Sequence, residues 1–274
     1  MEKTILFLGN TGSNSHLAAT SVKKNKDILL GKNTLEEIFD RIIGNNNYLG
    51  VIPIENSVSG SILESYDLIY EKKVYIAGEL ILKINHCLLS KDTASDSKLF
   101  KYCLSHSEAF KQCRKFMSQN PHLVSIITSD TASGAALLLN KDKDYCAIAS
   151  KKTALIYGLK IIREHLEDNP ANYSRFVIIK NQMNKIGDKV SLIFSLEHKP
   201  GSLVKVLIPY AERGLNLTKI ESRPILGSPW QYIFYIDLEI KKQTDLKLVL
   251  HDMKKYCLFL KILGIYPKGK QIYA

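Results

Sequence analysis

The sequence lacks several features that would assign it to a familiar class of protein. Its five cysteines are scattered and form no C-x-x-C pair, which argues against a disulfide framework and for reduced thiols in the cytoplasm. Cys103 and His106 have a spacing seen in metal sites, but no second pair of ligands accompanies them, so we predict no zinc site. No apolar run has the length of a secretory signal or a membrane span.

The sequence also lacks a continuous basic segment. The formal net charge is +11, yet no basic run is longer than a pair, and acidic residues interrupt the lysines throughout. A nucleic-acid interface needs clustered Lys and Arg on one face. We therefore interpret the lysines as solvated surface residues and predict no nucleic-acid partner.

The sequence does contain enough apolar residues to fill one large or two moderate cores, since 45% of its 274 residues are hydrophobic. Strand-like and helix-like segments alternate through the first 180 residues, which predicts an α/β fold with a largely parallel sheet. Residues 181–188 are polar and have the composition of a linker. Beyond them the pattern predicts the order βαββαβ, a ferredoxin-like layer of sheet and helices.

One short stretch, from Asn172 to Phe176, places a hydroxyl beside a guanidinium at the start of an apolar strand. Arg175 can bind a carboxylate through two hydrogen bonds, and Ser174 can donate or accept a hydrogen bond. Such a pair suits a small anionic substrate. Taken alone, the five residues fit an ordinary strand start with a surface arginine better.

Polar residues also occur at other points where strands are predicted to end. Asn56 and Ser57 follow a buried strand, where open α/β folds keep their ligands, although either residue could instead cap the next helix. The glycine turn from Gly9 to Ser15 precedes a predicted helix, an arrangement that presents backbone N–H groups to anions. Many turns of this kind bind nothing.

Several of these segments, in their order and spacing, resemble motifs of the prephenate dehydratase family. A set of separate motifs in sequence order is far harder to obtain by chance than any single one. The first 180 residues or so resemble the catalytic domain of the family and the last 85 or so its ACT regulatory domain. The matching segments are Pro53 to Ser57 with Gly60, Ser105-His106 before Ala109 and Gln112-Cys113, Ala147 to Ser150, Ser174 to Phe176, and, in the ACT part, Pro200 to Val204 and Ile220 to Pro224.

The resemblance implies a two-lobed, periplasmic-binding-protein-like α/β catalytic domain over residues 1–183 and a ferredoxin-like βαββαβ ACT domain over residues 188–274. Lobe A would comprise about 1–78 and 160–183, lobe B about 79–159, and the active site would lie in the cleft between them. The effector site would form where two ACT units meet, which implies a homodimer or homotetramer.

The resemblance also implies a reaction, the decarboxylating dehydration of prephenate to phenylpyruvate in phenylalanine biosynthesis, without metal or cofactor and inhibited by L-phenylalanine. Ser174 would donate to the departing hydroxyl and Arg175 would bind a carboxylate. The implied catalytic residues are Ser174, Arg175, Asn56 and Ser105, and the implied substrate-binding residues are Ser13, Ser57, Glu108 and Phe176. The implied phenylalanine-binding residues are Gly201, Ser202, Leu203, Val204, Asn216, Glu221, Ser222, Arg223 and Pro224.

The sequence departs from the family motifs at several positions. Ser174 stands where Thr is usual, which keeps the hydroxyl but loses the methyl group that restricts its rotamer. Glu108 stands where Gln is usual, and an ionised carboxylate would repel a dianionic substrate unless it is protonated or turned away. Further departures are Asn10 for Pro, Ser13 for Thr, Asn14 for an aromatic residue and Ser107 for Pro.

Other functions fit the same residues. One alternative is an arogenate dehydratase, because the added amine of arogenate would favour a carboxylate at Glu108. A second is a non-catalytic amino-acid sensor of the same fold, with its cleft altered at Asn10, Asn14 and Glu108. Retention of the Ser-Arg-Phe triplet favours the enzyme. We interpret His16 and His106 as structural and Glu55 as a helix cap or scaffold residue.

Overall fold

The computed structural model describes residues 2–92, 99–225 and 227–273. The chain forms three regions. The first region contains β1 (Thr4–Leu8), α1 (Asn14–Val22), β2 (Ile28–Lys32), α2 (Leu35–Ile42), β3 (Tyr48–Asn56), β4 (Gly60–Ser61), α3 (Leu63–Glu71) and β5 (Tyr75–Lys83). The second contains β6 (Cys87–Ser90), β7 (Tyr102–Ser105), α4 (Ser107–Gln112), α5 (Arg114–Gln119), β8 (Val124–Ile127), α6 (Thr131–Leu138), β9 (Tyr145–Ala149), α7 (Lys151–Tyr157) and β10 (Lys160–Arg163). After β11 (Tyr173–Lys180) come β12 (Lys189–Leu196), α8 (Ser202–Glu212), β13 (Asn216–Ile225), β14 (Ser228–Glu239), α9 (Gln243–Lys254), β15 (Cys257–Tyr266) and β16 (Lys270–Tyr273).

The helix starts follow from local sequence chemistry. Thr34 accepts a hydrogen bond from the backbone N–H of Glu37 at the start of α2, as its capping-box sequence predicts. Asp130 caps α6 in the same way, through the N–H of Ser133. Asn56 and Ser57 do not cap α3, because its N-cap position is Ile62 and no side chain bonds there. The polar residues after β3 are therefore available for another role.

The first region and β11 form one lobe around a sheet in the order β2-β1-β3-β11-β5. Strand β1 runs parallel to β2 and β3, whereas β11 runs antiparallel to both β3 and β5. The second lobe has the order β10-β6-β9-β7-β8 and likewise mixes directions. In each lobe four of these five strands run in one direction, and one strand, β11 in the first lobe and β6 in the second, runs against them. The predicted, largely parallel arrangement is therefore confirmed except at these two strands.

The two lobes are joined by two chain crossings. Strand β5 belongs wholly to the first sheet and β10 to the second, so the crossings lie at residues 84–86 and 164–172. The predicted boundaries, near residues 79 and 160, fall inside β5 and at the start of β10, so both boundaries move toward the C-terminus. Two connections between two lobes are the geometry from which a hinged cleft is built.

The third region is a four-stranded antiparallel layer in the order β13-β14-β12-β15, with α8 and α9 packed on it. This confirms the predicted βαββαβ order. Residues of this C-terminal layer, including Ile193, Tyr235 and Tyr266, also join the apolar core formed by the first sheet with α2 and α3. The layer is therefore packed against the first lobe rather than suspended from the 181–188 segment.

The C-terminal layer and the first lobe also share a sheet. Strand β15 meets β5 where Gly264 pairs with Ile76, and β16 runs parallel to β5 from Leu80 to Lys83. A Cβ at position 264 would lie 2.2 Å from the carbonyl oxygen of Ile76, so only glycine permits this approach. In the described ranges, no helix combines the length and the apolar content needed to cross a membrane.

Candidate active site

The ends of β3 and β11 lie side by side and bring together two of the predicted catalytic residues. Ser174 is the register partner of Asn56, and Arg175 is the partner of Glu55. Because side chains alternate across a strand, each of these two pairs must face a different side of the sheet. The Asn56 and Ser174 side chains meet, with 3.1 Å between Nδ2 and Oγ.

The orientation of the Asn56 amide is fixed by backbone groups. Its Oδ1 accepts hydrogen bonds from the N–H groups of Val58 and Ser59, at 2.8 and 2.9 Å. Its Nδ2 must therefore be the donor that faces Ser174, since an N–H can only point at an acceptor. The Ser174 oxygen thus accepts from Asn56, which leaves the hydroxyl hydrogen to point at a different group.

A buried polar network continues from Asn56 into the second lobe. Asn56 Nδ2 donates to Asn172 Oδ1 at 2.8 Å, and Asn172 Nδ2 donates to Gln112 Oε1 at 2.7 Å. The same Gln112 oxygen receives a hydrogen bond from His86 Nε2 at 2.8 Å. His86 and Asn172 lie on the two chain crossings, so the network links the hinge segments to the ends of β3 and β11.

The protonation of His86 follows from this network. Gln112 Oε1 can only accept, so the proton of the imidazole must sit on Nε2. The ring is 3% exposed, and burial lowers the pKa of His86 below its usual value, which keeps the ring neutral. A neutral histidine with its proton on Nε2 orients Gln112, and Gln112 in turn orients Asn172.

A second set of contacts joins the glycine turn after β1, in the first lobe, to the second lobe. The N–H of Asn10 donates to Asp130 at 3.0 Å, and Thr153 donates to the carbonyl of Gly12 at 2.8 Å. Gly12 has a φ of +93°, and a Cβ there would lie 3.3 Å from the ring of Tyr157. The turn predicted to receive an anion therefore packs directly on the second lobe.

Glu108, the departure that most affects a dianionic substrate, is ionised and paired. Its carboxylate accepts from Lys111 Nζ at 2.6 Å and from Ser59 Oγ at 2.8 Å. These bonds, that from Lys111 first, hold the pKa of Glu108 below its usual value. The neighbouring ammonium offsets the negative charge, so Glu108 repels an anion less than an isolated carboxylate would.

Arg175 lies on the side of the strands opposite Asn56 and Ser174. Its Nε donates to Glu79 at 2.7 Å and its Nη1 donates to Asp237 of the C-terminal layer. With its donors directed at protein carboxylates, the guanidinium has no geometry here for gripping a substrate carboxylate. The predicted pairing of Arg175 with Ser174 in one anion site is therefore corrected, and the physical reason is strand alternation.

Three other predicted residues also have structural partners. Ser13 caps α1 by accepting from the N–H of His16, and its hydroxyl contacts the carbonyl of Leu8. Ser105 is fully buried and donates to the carbonyl of Ile148 at 2.6 Å, which ties β7 to β9. Phe176 is 1% exposed and belongs to the core of the first lobe. We therefore assign structural roles to these three residues and to Arg175.

Ser57 remains at the edge of the candidate site. Its hydroxyl donates to the carbonyl of Ala171 and accepts from the N–H of Tyr173, both at 2.9 Å. Ser57 therefore holds the end of the second crossing, residues 164–172, against the end of β3 next to Asn56. His16 accepts from the N–H of Gly12 and His106 from the N–H of Glu108, which agrees with their interpretation as structural residues.

The predicted effector residues divide into two groups. Ser202 and Leu203 line a cavity of about 120 Å³ between the start of α8 and β14, next to Gly201 at its left-handed φ of +79°. Glu221 and Arg223 instead bond to Ser61 and Asp67 of the first lobe. Of the remaining predicted residues, Val204 lies on α8, and Asn216, Ser222 and Pro224 lie on β13.

Three members of the polar network, His86, Gln112 and Asn172, were not among the predicted site residues. Asn172 could have been found, because it lies two residues before Ser174 and an extended chain puts alternate residues on one face. His86 carries no comparable signal, since its role depends on a crossing whose position the sequence did not show. In the part of the chain that the structure describes, no group of three or more His, Cys, Asp or Glu is arranged to hold a metal ion.

Comparison with known proteins places these features in context. The family model described as prephenate dehydratase matches residues 5–184. A prephenate dehydratase of Methanocaldococcus jannaschii is 36% identical over 97% of this chain and 99% of its own length. These matches cover the two lobes, and the second extends through the C-terminal layer.

Solved structures give a similar result. The prephenate dehydratase of Arthrobacter aurescens in complex with L-Phe has a TM-score of 0.85 at 27% identity, over 96% of this chain and 89% of that one. GqqA, described as a novel type of quorum quenching acylase, has a TM-score of 0.84, also at 27% identity, over 97% of this chain and 98% of its own. Solved structures with this architecture have therefore been described with two different activities.

Proposed function

The chain belongs to the prephenate dehydratase family, and from this membership we propose that it converts prephenate to phenylpyruvate, as a carbon–oxygen lyase of phenylalanine biosynthesis. The observation that carries the proposal is the Asn56–Ser174 contact, which stands at the interface of the two lobes. Its members come from motifs that resemble those of the family. They also have the chemistry that the reaction requires.

The reaction needs little covalent help from the protein. Prephenate carries two carboxylates and a ring hydroxyl. Loss of carbon dioxide supplies the electron pair that expels the hydroxyl as hydroxide, which becomes water by taking up a proton from solvent. Aromatisation of the ring makes the step strongly favourable. The protein must bind the ring, orient it and donate a hydrogen bond to the departing oxygen. Hydrogen bonds aimed at charge that develops in the transition state act most strongly in a site with little water.

Ser174 is the donor in this proposal. Because Asn56 donates to the Ser174 oxygen, the hydroxyl hydrogen is directed elsewhere, and the departing oxygen of the substrate is the acceptor we assign to it. A serine hydroxyl is a very weak acid, so it contributes chiefly by a preorganised hydrogen bond rather than by complete proton transfer. Asn172, Gln112 and His86 hold Asn56 in the required orientation.

A direct assay tests the proposal. Purified protein is incubated with prephenate, and phenylpyruvate is followed by its absorbance in alkali against a blank corrected for acid-catalysed conversion. Ser174→Ala is expected to lower kcat by about 100- to 10,000-fold, the range of a lost general-acid group. Its melting temperature should stay unchanged, since Ser174 is only partly buried.

Two outcomes would contradict the proposal. A wild-type protein that forms no product above the blank, while still binding phenylalanine, would identify an amino-acid sensor. Turnover by Ser174→Ala close to the wild-type rate would remove Ser174 from its role. Ser174→Thr is the matched control, because it retains the hydroxyl and should retain activity. Running the assay with arogenate in parallel decides which substrate is preferred.

We also propose that L-phenylalanine inhibits the enzyme by binding the C-terminal layer of a homodimer or homotetramer. Support comes from the cavity beside Ser202 and Leu203 and from exposed apolar residues nearby on the layer, among them Val204 and Ile220. Inhibition requires that phenylalanine bind one of two states more tightly than the other. A cytoplasmic location fits the five cysteines, all of which are free thiols.

A further inference from the structure

At the ends of β3 and β11, Asn56 and Ser174 lie on one face of the sheet. The C-terminal layer contacts the opposite face. Glu55 and Arg175 are the adjacent pair of register partners, one residue from the proposed catalytic pair on each strand. Strand alternation points them away from Asn56 and Ser174. One cross-strand pair thus faces the second lobe, while the next pair faces the C-terminal layer.

Arg175 is held on this side by three elements. Its Nε donates to Glu79 of β5 at 2.7 Å, its Nη1 donates to Asp237 of β14, and its Nη2 donates to the hydroxyl of Tyr266 in β15 at 3.2 Å. The side chain is 11% exposed. A planar guanidinium with each of its three nitrogens engaged has one orientation available, so the backbone of β11 at Arg175 is fixed as well.

Glu55 is held by the same layer. Lys219 of β13 places its Nζ 3.0 Å from a Glu55 oxygen and 2.8 Å from Ser61 Oγ. The second Glu55 oxygen lies 3.6 Å from Nη1 of Arg175, which joins the two contacts into one cluster. The Lys219 side chain is 8% exposed and the Glu55 side chain 32%, so the contact is shielded mainly on the lysine side.

The charges behind the strands are balanced by residues of the C-terminal layer. Arg175 and Lys189 face Glu79 and Asp237, and two of these four residues belong to that layer. Removing one partner of a buried ion pair leaves the other charge uncompensated, which is far costlier than the pair is stabilising. Loss of the Asp237 charge would therefore displace Arg175, and Ser174 is the residue directly before it.

We propose that Asp237 and Lys219 are positioning residues for the reaction, which act through Arg175 and Glu55 to hold Ser174 and Asn56 at their required separation. The C-terminal layer is then a part of the active-site scaffold. Any ligand that moves this layer would change turnover through these two contacts. The inference rests on the proposed function and adds to it the route by which regulation reaches the site.

The test compares full-length variants in the prephenate assay. Asp237→Asn keeps the shape of the side chain but removes its charge, and Lys219→Met does the same for the second contact. Each is expected to lower kcat by about 10- to 100-fold, the effect of a small misplacement of catalytic groups, with KM for prephenate within about threefold of wild type. A loss confined to kcat is not expected from a merely structural role.

Asp67→Asn is the matched control. It breaks the 2.7 Å pair between Asp67 of α3 and Arg223, which also joins the C-terminal layer to the first lobe but lies away from the strand ends. Its kcat should stay within about twofold of wild type. An equal loss of kcat in Asp67→Asn and Asp237→Asn would overturn the inference, because general docking of the layer would then explain both.

Wild-type kcat in both Asp237→Asn and Lys219→Met would also overturn it. If Asp237→Asn does not fold, Lys219→Met decides by the same criteria. Failure of the proposed function and failure of the positioning role give different results, since absence of phenylpyruvate from the wild-type protein defeats the proposed function itself. Active wild type together with fully active variants defeats only the positioning role.

Discussion

A hydroxyl group can assist a leaving oxygen only if its hydrogen is free to form a hydrogen bond to that oxygen. In this protein Asn56 donates to the Ser174 oxygen, so the Ser174 hydrogen is available for another acceptor. Two separate motifs placed Asn56 and Ser174 in one predicted cleft, and the two side chains are in contact. The role of Arg175 was not foreseen. Consecutive residues of a strand face opposite sides, so Ser174 and Arg175 could not serve one cleft together.

The buried histidine of the network leads to a prediction on pH. The pKa of His86 is lower in the folded protein than the value of about 6.5 for a free histidine. Between the two values the unfolded chain binds a proton that the folded protein does not, so the free energy of unfolding falls as pH decreases below about 6.5. Urea unfolding at a series of pH values measures this slope.

His86→Gln should flatten that slope, since an amide does not titrate. A matched control is His122→Gln, at an exposed histidine of the second lobe, which should leave the slope as it is in the wild type. A His86→Gln protein whose stability still declines as steeply between pH 6.5 and 5 would contradict the assignment of a neutral buried ring.

At the scale of elements, the alternation of helices and buried strands was predicted from the sequence, but the two-residue strand β4 and the edge strands β2 and β16 were missed. Strand β2 (Ile28–Lys32) lies at the sheet edge with partly exposed residues, and β16 (Lys270–Tyr273) is short and begins with polar residues. Edge strands bury little apolar surface, so they show weak periodicity. The reversed direction of β6 and β11 was also missed, because it depends on which lobe each segment rejoins.

Strand β16 supports a prediction at this scale. Removing residues 269–274 would expose the edge of β5, where Leu80 and Leu82 are buried, and would remove the packing of Ile272. The loss of one apolar side chain costs about 2 kcal/mol, and each kcal/mol lowers the melting temperature of a chain of this size by about 2–4 °C. We expect a fall of about 5 °C or more.

Differential scanning calorimetry measures the change. The control is Gln271→Ala, which alters an exposed side chain of β16 but keeps its backbone pairing with β5. It should melt within about 1 °C of wild type, because isolated surface changes are usually small. A truncated protein as stable as the wild type would show that β16 does not support the first lobe.

At the scale of the whole molecule, the sequence predicted two lobes and a C-terminal layer but not how the layer is attached. Its attachment depends on residues far apart in the chain, such as Glu79 with Arg175 and Lys189. Periodicity and short motifs report local structure, so they contain no signal for such contacts. The bridging of the lobes through His86, Gln112 and Asn172 was hidden for the same reason.

The attachment of the C-terminal layer to the first lobe should weaken at low pH. Burial alone would raise the pKa of Glu79, but the charges of Arg175 and Lys189 outweigh burial and hold it below the usual value. Its contribution to stability is therefore present above the ordinary glutamate pKa of about 4.3 and is lost as pH falls through the lower folded value. Stability should decline over that interval.

Glu79→Gln tests this dependence by urea unfolding between pH 7 and 3. The variant should be less stable than wild type at pH 7, and the difference should narrow as pH falls, because protonation removes the same charge. Glu197→Gln, at an exposed ion pair with Lys199, should track the wild type throughout. A Glu79→Gln deficit that stays constant with pH would count against an ionised Glu79.

The pairing of β16 with β5 has a consequence for synthesis of the protein on the ribosome. The backbone N–H of Gly269 meets Glu79 across 190 positions of the chain. At a translation rate of 5–20 residues per second, β5 emerges on the order of 10 to 40 s before its last neighbour. During that interval the nascent first lobe exposes an unpaired strand edge that can associate with other chains. The unpaired β5 of the nascent chain is therefore a segment to which chaperones that recognise extended apolar sequences would bind.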